Sequence, residues 1–198
     1  TTSGAITLRA DNNVTFTANG DVTSTTGNVT VNADDDNSGA AGGLLTMADG
    51  ALINAGSGTI TLTSDGDVTL GGVQTTNATA TAVQVTSREG GILDGGDSDI
   101  DIIANTARLD ADTGIGATDE IETAGAGLLL AAQTRTGNLQ IVNTGELIVG
   151  TVGGLAGVQI TSNAAISNLS LRARSPLTIT SAVSNVSGGD IILAAEGT

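Results

Sequence analysis

Residues 58–65 carry the pattern that decides the fold: they read Gly-Thr-Ile-Thr-Leu-Thr-Ser-Asp. Apolar and polar side chains alternate between a leading glycine and a closing acid, and this period of two is typical of a β-strand that ends in a turn. The order Gly-x-Ile-x-Leu-x-small-acid recurs at residues 4–11 and 189–196. A short strand pattern that recurs along a chain indicates a repeating architecture.

Similar alternating bursts follow one another at a nearly constant step. The burst centres Ile6, Val14 and Val22 are 8 and 8 residues apart (14−6, 22−14). Gly, Asn and Asp stand between the bursts, and these residues tolerate the backbone of tight turns. Three such strands with their turns would make a coil of about 22–25 residues, which predicts roughly eight or nine coils over the chain.

The composition separates a solenoid from an ordinary β-sandwich. The 198 residues include 29 Gly and a single aromatic residue, Phe16, with a hydrophobic fraction of 39%. Small and medium aliphatic side chains fill the thin core of stacked coils but would leave a sandwich core underfilled. We therefore predict an all-β fold, a right-handed parallel β-helix (β-solenoid), with residues 1–198 as a single segment of a longer extracellular chain. Pro176 must then lie at a turn or at the first position of a strand, because it cannot donate to a ladder.

The charge and the missing residue types exclude several kinds of chemistry. The chain has no Cys and no His, so it has no thiolate nucleophile, no imidazole base and no Cys/His metal site. All six cations are Arg, against 21 acidic residues, and the net charge of −15 opposes binding to nucleic acid. Acid–base catalysis by carboxylate pairs needs an apolar or aromatic wall that keeps one of them neutral, and the sequence offers none. We predict no enzymatic activity, no nucleic-acid partner and no membrane insertion.

Three stretches, one of them part of the stretch quoted first, carry a resemblance to a known family. Residues 27–34 read Gly-Asn-Val-Thr-Val-Asn-Ala-Asp, residues 58–62 read Gly-Thr-Ile-Thr-Leu, and residues 66–73 read Gly-Asp-Val-Thr-Leu-Gly-Gly-Val. They resemble the repeats of very large bacterial surface proteins of the filamentous haemagglutinin type, whose Gly-[Asn/Asp]-[Ile/Val] strands build long β-helical stalks. The resemblance covers most of the chain in composition and repeat style. It implies a structural repeat segment of an extracellular, surface-displayed bacterial adhesin, stalk or matrix filament.

Residues 34–39 form a first candidate site for calcium. They read Asp-Asp-Asp-Asn-Ser-Gly, in which Asp34 and Asp36 are spaced as alternating oxygen ligands. The twelfth position of an EF-hand loop would be Leu45 instead of a bidentate Glu, so an EF-hand is excluded. A solvated acidic turn is the favoured interpretation, and a looser calcium site in a solenoid turn, with Ser38 as a third oxygen ligand, is the alternative hypothesis.

A second candidate site for calcium follows about sixty residues later. It comprises Asp94, Asp97, Asp99 and Asp101. If residues 98–102 form a strand, alternate side chains project to one face. Carboxylates on one face repel one another unless a cation binds or solvent screens them. We therefore expect calcium as an optional ligand of these residues, while the fold requires no cofactor.

Partners are expected along the axis of the fibre and on its surface. Residues 4–11 and 189–196 share a pattern at a spacing of 185 (189−4), which suggests that the chain begins and ends at equivalent points of a longer period. We expect copies to stack end to end, as covalent tandem repeats or by non-covalent self-association. The alternative function is a binding module that recognises cell-surface glycans, directly or through a divalent cation.

Overall fold

The computed structural model describes residues 3–36, 42–96 and 99–197. Every regular element in these ranges is a β-strand; they contain no helix, and therefore none that could span a membrane. In the strand formed by residues 60–64, Ile60, Leu62 and Ser64 are buried and the two threonines between them are partly exposed. The alternation seen in the sequence is thus the alternation between core and surface.

The strands follow one another in chain order: β1 (Ile6–Ala10), β2 (Val14–Phe16), β3 (Val22–Thr23), β4 (Val29–Ala33), β5 (Leu45–Met47), β6 (Leu52–Asn54), β7 (Ile60–Ser64), β8 (Val68–Leu70), β9 (Gly72–Gln74), β10 (Val83–Ser87), β11 (Ile92–Asp94), β12 (Ile102–Ile103), β13 (Thr106–Ala111), β14 (Ile121–Ala124), β15 (Leu128–Thr134), β16 (Leu139–Asn143), β17 (Leu147–Val149), β18 (Thr151–Val152), β19 (Leu155–Ala156), β20 (Val158–Ile160), β21 (Leu169–Ala173), β22 (Leu177–Ile179), β23 (Val183–Asn185) and β24 (Ile191–Ala195).

These strands wind into a parallel β-solenoid of about eight coils, which confirms the predicted fold. Sheet 1 runs β1-β4-β7-β10-β13-β15-β17-β22, with β20 and β23 continuing it beside β15. Sheet 2 contains β2, β5, β8 and β11, and sheet 3 runs β3-β6-β9-β12-β14-β16-β21-β24. In all three sheets each strand lies parallel to the strand one coil further along the chain.

The register of sheet 1 gives the length of a coil. Ile6 pairs with Val29, a step of 23 residues (29−6), and Ile60 pairs with Val83, again a step of 23 (83−60). The step from Val29 to Ile60 is 31 (60−29), because a longer connection separates β4 from β5. The predicted coil of about 22–25 residues therefore describes the basic repeat, and insertions lengthen it at corners.

The core is a stack of aliphatic columns. Val29, Ile60 and Val83 are consecutive members of one inward column of sheet 1, and each is fully buried. Phe16 pairs with Met47 between sheet 2 strands, so the largest side chains also stack on each other. Because each coil covers its neighbours, the hydrophobic stabilisation of about 25 cal/mol per Å² accumulates as coils are added.

Asn and Asp side chains bridge successive coils at the corners. Asn28 Oδ1 accepts a hydrogen bond from the Thr59 N–H, 3.0 Å away and one coil later. Asp67 Oδ1 accepts one from the Gly91 N–H at 2.7 Å. Equivalent bridges involve Asn13, Asp21, Asn138 and Asn168. These acceptors are the Asn/Asp positions that precede the first apolar residue of a burst in the sequence pattern.

The glycine of the pattern is required by the close approach of the coils. A Cβ on Gly58 would lie 2.3 Å from the carbonyl oxygen of Gly27, and a Cβ on Gly27 would lie 2.0 Å from that of Gly4. Neither distance is compatible with a side chain, so this corner stacks glycine on glycine. The repeated glycine therefore reports backbone contact between coils as well as a turn.

Two expectations about particular positions have different outcomes. Pro176 directly precedes β22, and its carbonyl oxygen accepts the Leu147 N–H at 3.0 Å, so the prediction for this residue is confirmed. The copies of the pattern at 4–11 and 189–196 form β1 of sheet 1 and β24 of sheet 3. The two copies therefore do not occupy equivalent points of the coil, because they lie in different sheets.

An antiparallel hairpin interrupts the parallel pattern. Strands β18 and β19 pair with each other, and Gly153 and Gly154 form the turn between them with φ of 54° and 85°. The hairpin packs Val152 and Leu155 on Ala131 of β15, which makes a small apolar cluster on the outside of sheet 1. As a result, the strand after β15 is split into β17 and β20, which both pair with it.

Candidate functional site

Three carboxylates meet at the corner that joins sheets 2 and 3. Asp94 is the last residue of β11, Asp101 directly precedes β12, and Glu122 lies in β14. One ligand oxygen from each of the three residues lies within 4.8 Å of the others. Asp94 and Asp101 are only 8% and 4% exposed, and Glu122 is partly buried. We call this group the acidic corner.

The coil geometry explains why these residues converge. Strands β12 and β14 pair through Ile102 and Thr123, which places Asp101 beside Glu122. Asp101 Oδ2 accepts the Glu122 N–H at 2.9 Å, as the bridging Asn and Asp residues do at other corners. Asp94 Oδ2 accepts the Gly96 N–H at 3.0 Å and so shapes the connection that leaves β11. Both aspartates therefore also hold the backbone in place.

Glu122 has a strongly raised pKa in the acidic corner. Burial, and after it the nearby carboxylates of Asp94, Glu120 and Asp119, together raise the pKa of Glu122 from 4.5 to about 7. Glu122 Oε2 is buried and accepts no hydrogen bond from the described residues. Arg172, the cation on this side, donates to Glu120 and is also drawn towards Glu196. Arg172 therefore interacts chiefly with other acids, and Glu122, whose pKa is about 7, keeps its proton at a higher pH than an ordinary glutamate does.

The structure brings together two of the four residues in the second predicted cluster. Asp94 and Asp101 belong to the acidic corner, Asp99 is exposed and outside it, and Asp97 lies outside the described residues. The condition set for this cluster, a strand that includes residues 99–101, is not met, because β12 begins only at Ile102. Asp94 and Asp101 meet through the corner between two sheets and not through alternation along one strand.

Glu122 is not among the site residues predicted from the sequence. This residue is 21 positions after Asp101 (122−101), which is close to one coil, and the register places the two side by side. The coil step of about 23 residues was therefore the signal that could have found it. Local spacing of acids, on which the prediction relied, cannot reveal a neighbour that comes from the next coil.

The first predicted cluster has a different arrangement. Asp34 is 2% exposed and has φ of 61°, and its N–H donates to the Asn12 carbonyl oxygen at 3.0 Å. Asp36 is exposed, and residues 37–39 of the predicted loop lie outside the described residues. Neither Asp34 nor Asp36 belongs to the group of three converging carboxylates. Asp34 forms part of the corner after β4, where its backbone makes the turn.

The acidic corner has the donor type that hard cations prefer. Calcium takes six to eight oxygen ligands at about 2.3–2.6 Å, and carboxylates are its usual protein ligands. The three residues Asp94, Asp101 and Glu122 supply oxygen donors only, but fewer than a complete calcium shell. A bound proton on Glu122 would compete with a cation for the same oxygens.

Comparisons with known proteins identify no relative: no family model, no curated protein and no solved structure matches this chain.

Proposed function

We propose that this chain is a structural segment of an extracellular fibre, a length of solenoid in a bacterial adhesin, stalk or matrix filament. The observation that carries the proposal is the continuous ladder of sheet 3, in which eight strands pair in parallel from β3 to β24. Seven steps of about 4.8 Å make a rod roughly 34 Å long, with backbone hydrogen bonds directed along its axis. Such a ladder is suited to extending a protein in one direction.

Side-chain contacts between coils support the same role. Arg135, which follows β15, pairs with Asp112, which follows β13. Arg88, which follows β10, lies 3.6 Å from Asp65, which follows β7. Each pair joins two successive coils at the corner after sheet 1. These ion pairs are partly exposed, so each contributes little to stability. The net charge of −15 on a surface without Lys would keep neighbouring rods apart in solution.

The end coils present surfaces that further coils can cover. Ile191 and Leu193 of β24 are 44% and 43% exposed, although their partners in β21, Leu169 and Leu171, are fully buried. An open parallel strand edge with apolar side chains readily accepts another strand. We propose that additional coils continue the solenoid here, supplied either by flanking sequence or by a second copy.

A tandem fusion of two copies tests the fibre proposal. We expect electron microscopy to show a single straight rod of about twice the length, and thermal unfolding at a higher temperature than for one copy, because each new interface adds stability. Sedimentation of the single copy over a dilution series would show whether copies also stack without a covalent link. Two separate particles on a flexible joint, with an unchanged melting temperature, would contradict the proposal.

Calcium binding stays a prediction, and the acidic corner is the place where it can be tested. If a cation binds there, millimolar Ca²⁺ raises the melting temperature of the wild-type chain at about pH 8 and has a smaller effect on Glu122→Gln. Equal shifts in the two proteins would place any calcium effect elsewhere. Recognition of cell-surface glycans likewise stays a prediction.

A further inference from the structure

A groove of about 190 Å³ lies on the outer surface near the corner between sheets 2 and 3. Leu52 and Ile100 line the groove with apolar side chains, and Asp49 and Asp99 line it with exposed carboxylates; Asp101, whose Oδ2 accepts the Glu122 N–H, also lies along it. Gly72 lies in the part of the groove where a side chain would otherwise stand. We call this feature the Gly72 groove.

The register of sheet 3 explains the groove. Leu52 of β6 pairs with Gly72 of β9, and the Val73 N–H donates to the Asp101 carbonyl oxygen at 2.7 Å, so Asp101 follows Gly72 in the next coil. Leu52, Gly72 and Asp101 are therefore consecutive members of one outward column, about 4.8 Å apart. Because glycine has no side chain, the column has a gap between a leucine and an aspartate.

The groove has both apolar and acidic walls, and this combination determines the kind of ligand that it can bind. Ile100 is 36% exposed and Leu52 is partly buried, so both can cover an aliphatic chain. Asp49 and Asp99 are exposed on the rim, and Asp101 is 4% exposed at the end of the column. A groove that combines apolar side chains with two exposed carboxylates matches a side chain with a hydrocarbon stem and a cationic head.

We infer that the Gly72 groove docks a lysine side chain of a partner protein. Lysine combines a flexible four-carbon stem with a compact ammonium group that acts as a point charge. Residues 1–198 contain no Lys, so the docked residue comes from outside them, and we assign it to a partner protein. The net charge of −15 also speeds the encounter with a basic partner. This inference does not rest on the fibre proposal. It assigns a binding site for a partner to the side of the solenoid.

A short peptide with one lysine tests the docking. The probe is acetyl-Gly-Gly-Lys-Gly-Gly-amide, titrated into the full chain while backbone amide shifts are followed by NMR. We expect weak saturable binding, with a dissociation constant of roughly 1 mM, and shifts centred on Leu52, Gly72 and Ile100. A peptide with norleucine, which keeps the stem and lacks the charge, should bind about tenfold more weakly.

Two kinds of variant locate the binding. Gly72→Leu fills the gap: φ at this position lies outside the left-handed region, and the new Cβ would lie 3.1 Å from Leu52 Cδ1, the end of a flexible side chain that has to move slightly. Gln74→Leu adds the same side chain on the same strand outside the groove and serves as the matched control. We expect at least a tenfold loss of affinity for Gly72→Leu and no loss for the control. The double variant Asp49→Asn, Asp99→Asn tests the charge without filling the space, and it should weaken binding severalfold.

Three results would overturn the inference. Shifts spread over distant acids such as Glu89 and Asp190 would indicate non-specific attraction. Equal binding of the norleucine peptide would remove the role of the charge. Unchanged binding by Gly72→Leu, with circular dichroism showing an intact fold, would remove the groove itself, and none of these results bears on whether tandem copies form a rod.

Discussion

At the residue scale, the bridging Asn and Asp side chains give the repeated pattern a physical meaning. Asn28 and Asp67 each accept a backbone N–H from the following coil, and Gly58 lies against Gly27 where no side chain fits. The sequence correctly identifies these residues as corners. It does not show that they also join one coil to the next, because that contact depends on the register.

The bridge of Asn28 can be tested by removing its acceptor. Asn28→Ala leaves the Thr59 N–H without its 3.0 Å partner, and we expect a loss of about 1 kcal/mol in the free energy of unfolding. Asn28→Asp keeps an oxygen at the same place and should cost less. Urea unfolding followed by circular dichroism measures both variants, and equal losses would show that the bridge is unimportant.

Glu122 is expected to make stability depend on pH. Between pH 4.5 and about 7 the unfolded chain releases this proton while the folded chain keeps it, because burial and nearby acids raise the folded pKa to about 7. This contribution to stability is therefore complete below pH 4.5, falls as the pH rises through that window, and is lost above it. Glu122→Gln should remove this part of the fall and be more stable than the wild type at about pH 8, by about 1 kcal/mol.

The control for Glu122 is a carboxylate on the surface. Glu89 is exposed, and Glu89→Gln should leave the pH profile of unfolding close to that of the wild type. Thermal unfolding at several pH values provides the measurement. If Glu122→Gln and Glu89→Gln have the same profile, the acidic corner does not control the pH dependence.

At the scale of elements, the strands were predictable and their partners were only partly so. The alternating bursts at 6–10 and 60–64 are strands β1 and β7 of one sheet, as the period of two indicated. The hairpin of β18 and β19 was not foreseen, because its stability comes from packing Val152 and Leu155 on the outside of β15. Glu122 was missed for a related reason, since its neighbours belong to a different coil.

The alternation in β7 predicts opposite outcomes for adjacent residues. Leu62 is fully buried, and Leu62→Ala should cost about 2–5 kcal/mol because it leaves a cavity in the stacked core. Thr61 faces outwards on the same strand, and Thr61→Ala should change stability by no more than about 0.5 kcal/mol. Chemical denaturation measures the difference, and similar losses at the two positions would contradict the assignment of inner and outer faces.

At the scale of the whole molecule, the stabilisation from a thin hydrophobic core is opposed by the repulsion among many negative charges. Six Arg residues cannot neutralise 21 acidic residues, and the remaining charge of −15 repels itself across the surface. The amino-acid composition alone was enough to predict both this repulsion and the small core. The direction of the axis, the insertions at the corners and the Gly72 groove required the register, which no short stretch of sequence contains.

Salt should therefore stabilise the chain. Raising NaCl from about 20 mM to about 500 mM shortens the screening length from roughly 20 Å to about 4 Å, so the repulsion between surface acids weakens more than the few ion pairs do. We expect the melting temperature to rise by several degrees. KCl at the same ionic strength should act equally, and a constant or lower melting temperature would show that self-repulsion is minor.

The corner bridges also bear on how the protein ages chemically. Deamidation of asparagine begins when the next backbone nitrogen attacks the side-chain carbonyl, and after Asn28, Asn138 and Asn168 that nitrogen is held in a hydrogen bond to the following coil. Asn19 is exposed instead in a turn before Gly20, whose N–H makes only a local bond to Thr17. On long storage, spontaneous damage should accumulate at Asn19 and spare the asparagines that hold the coils together.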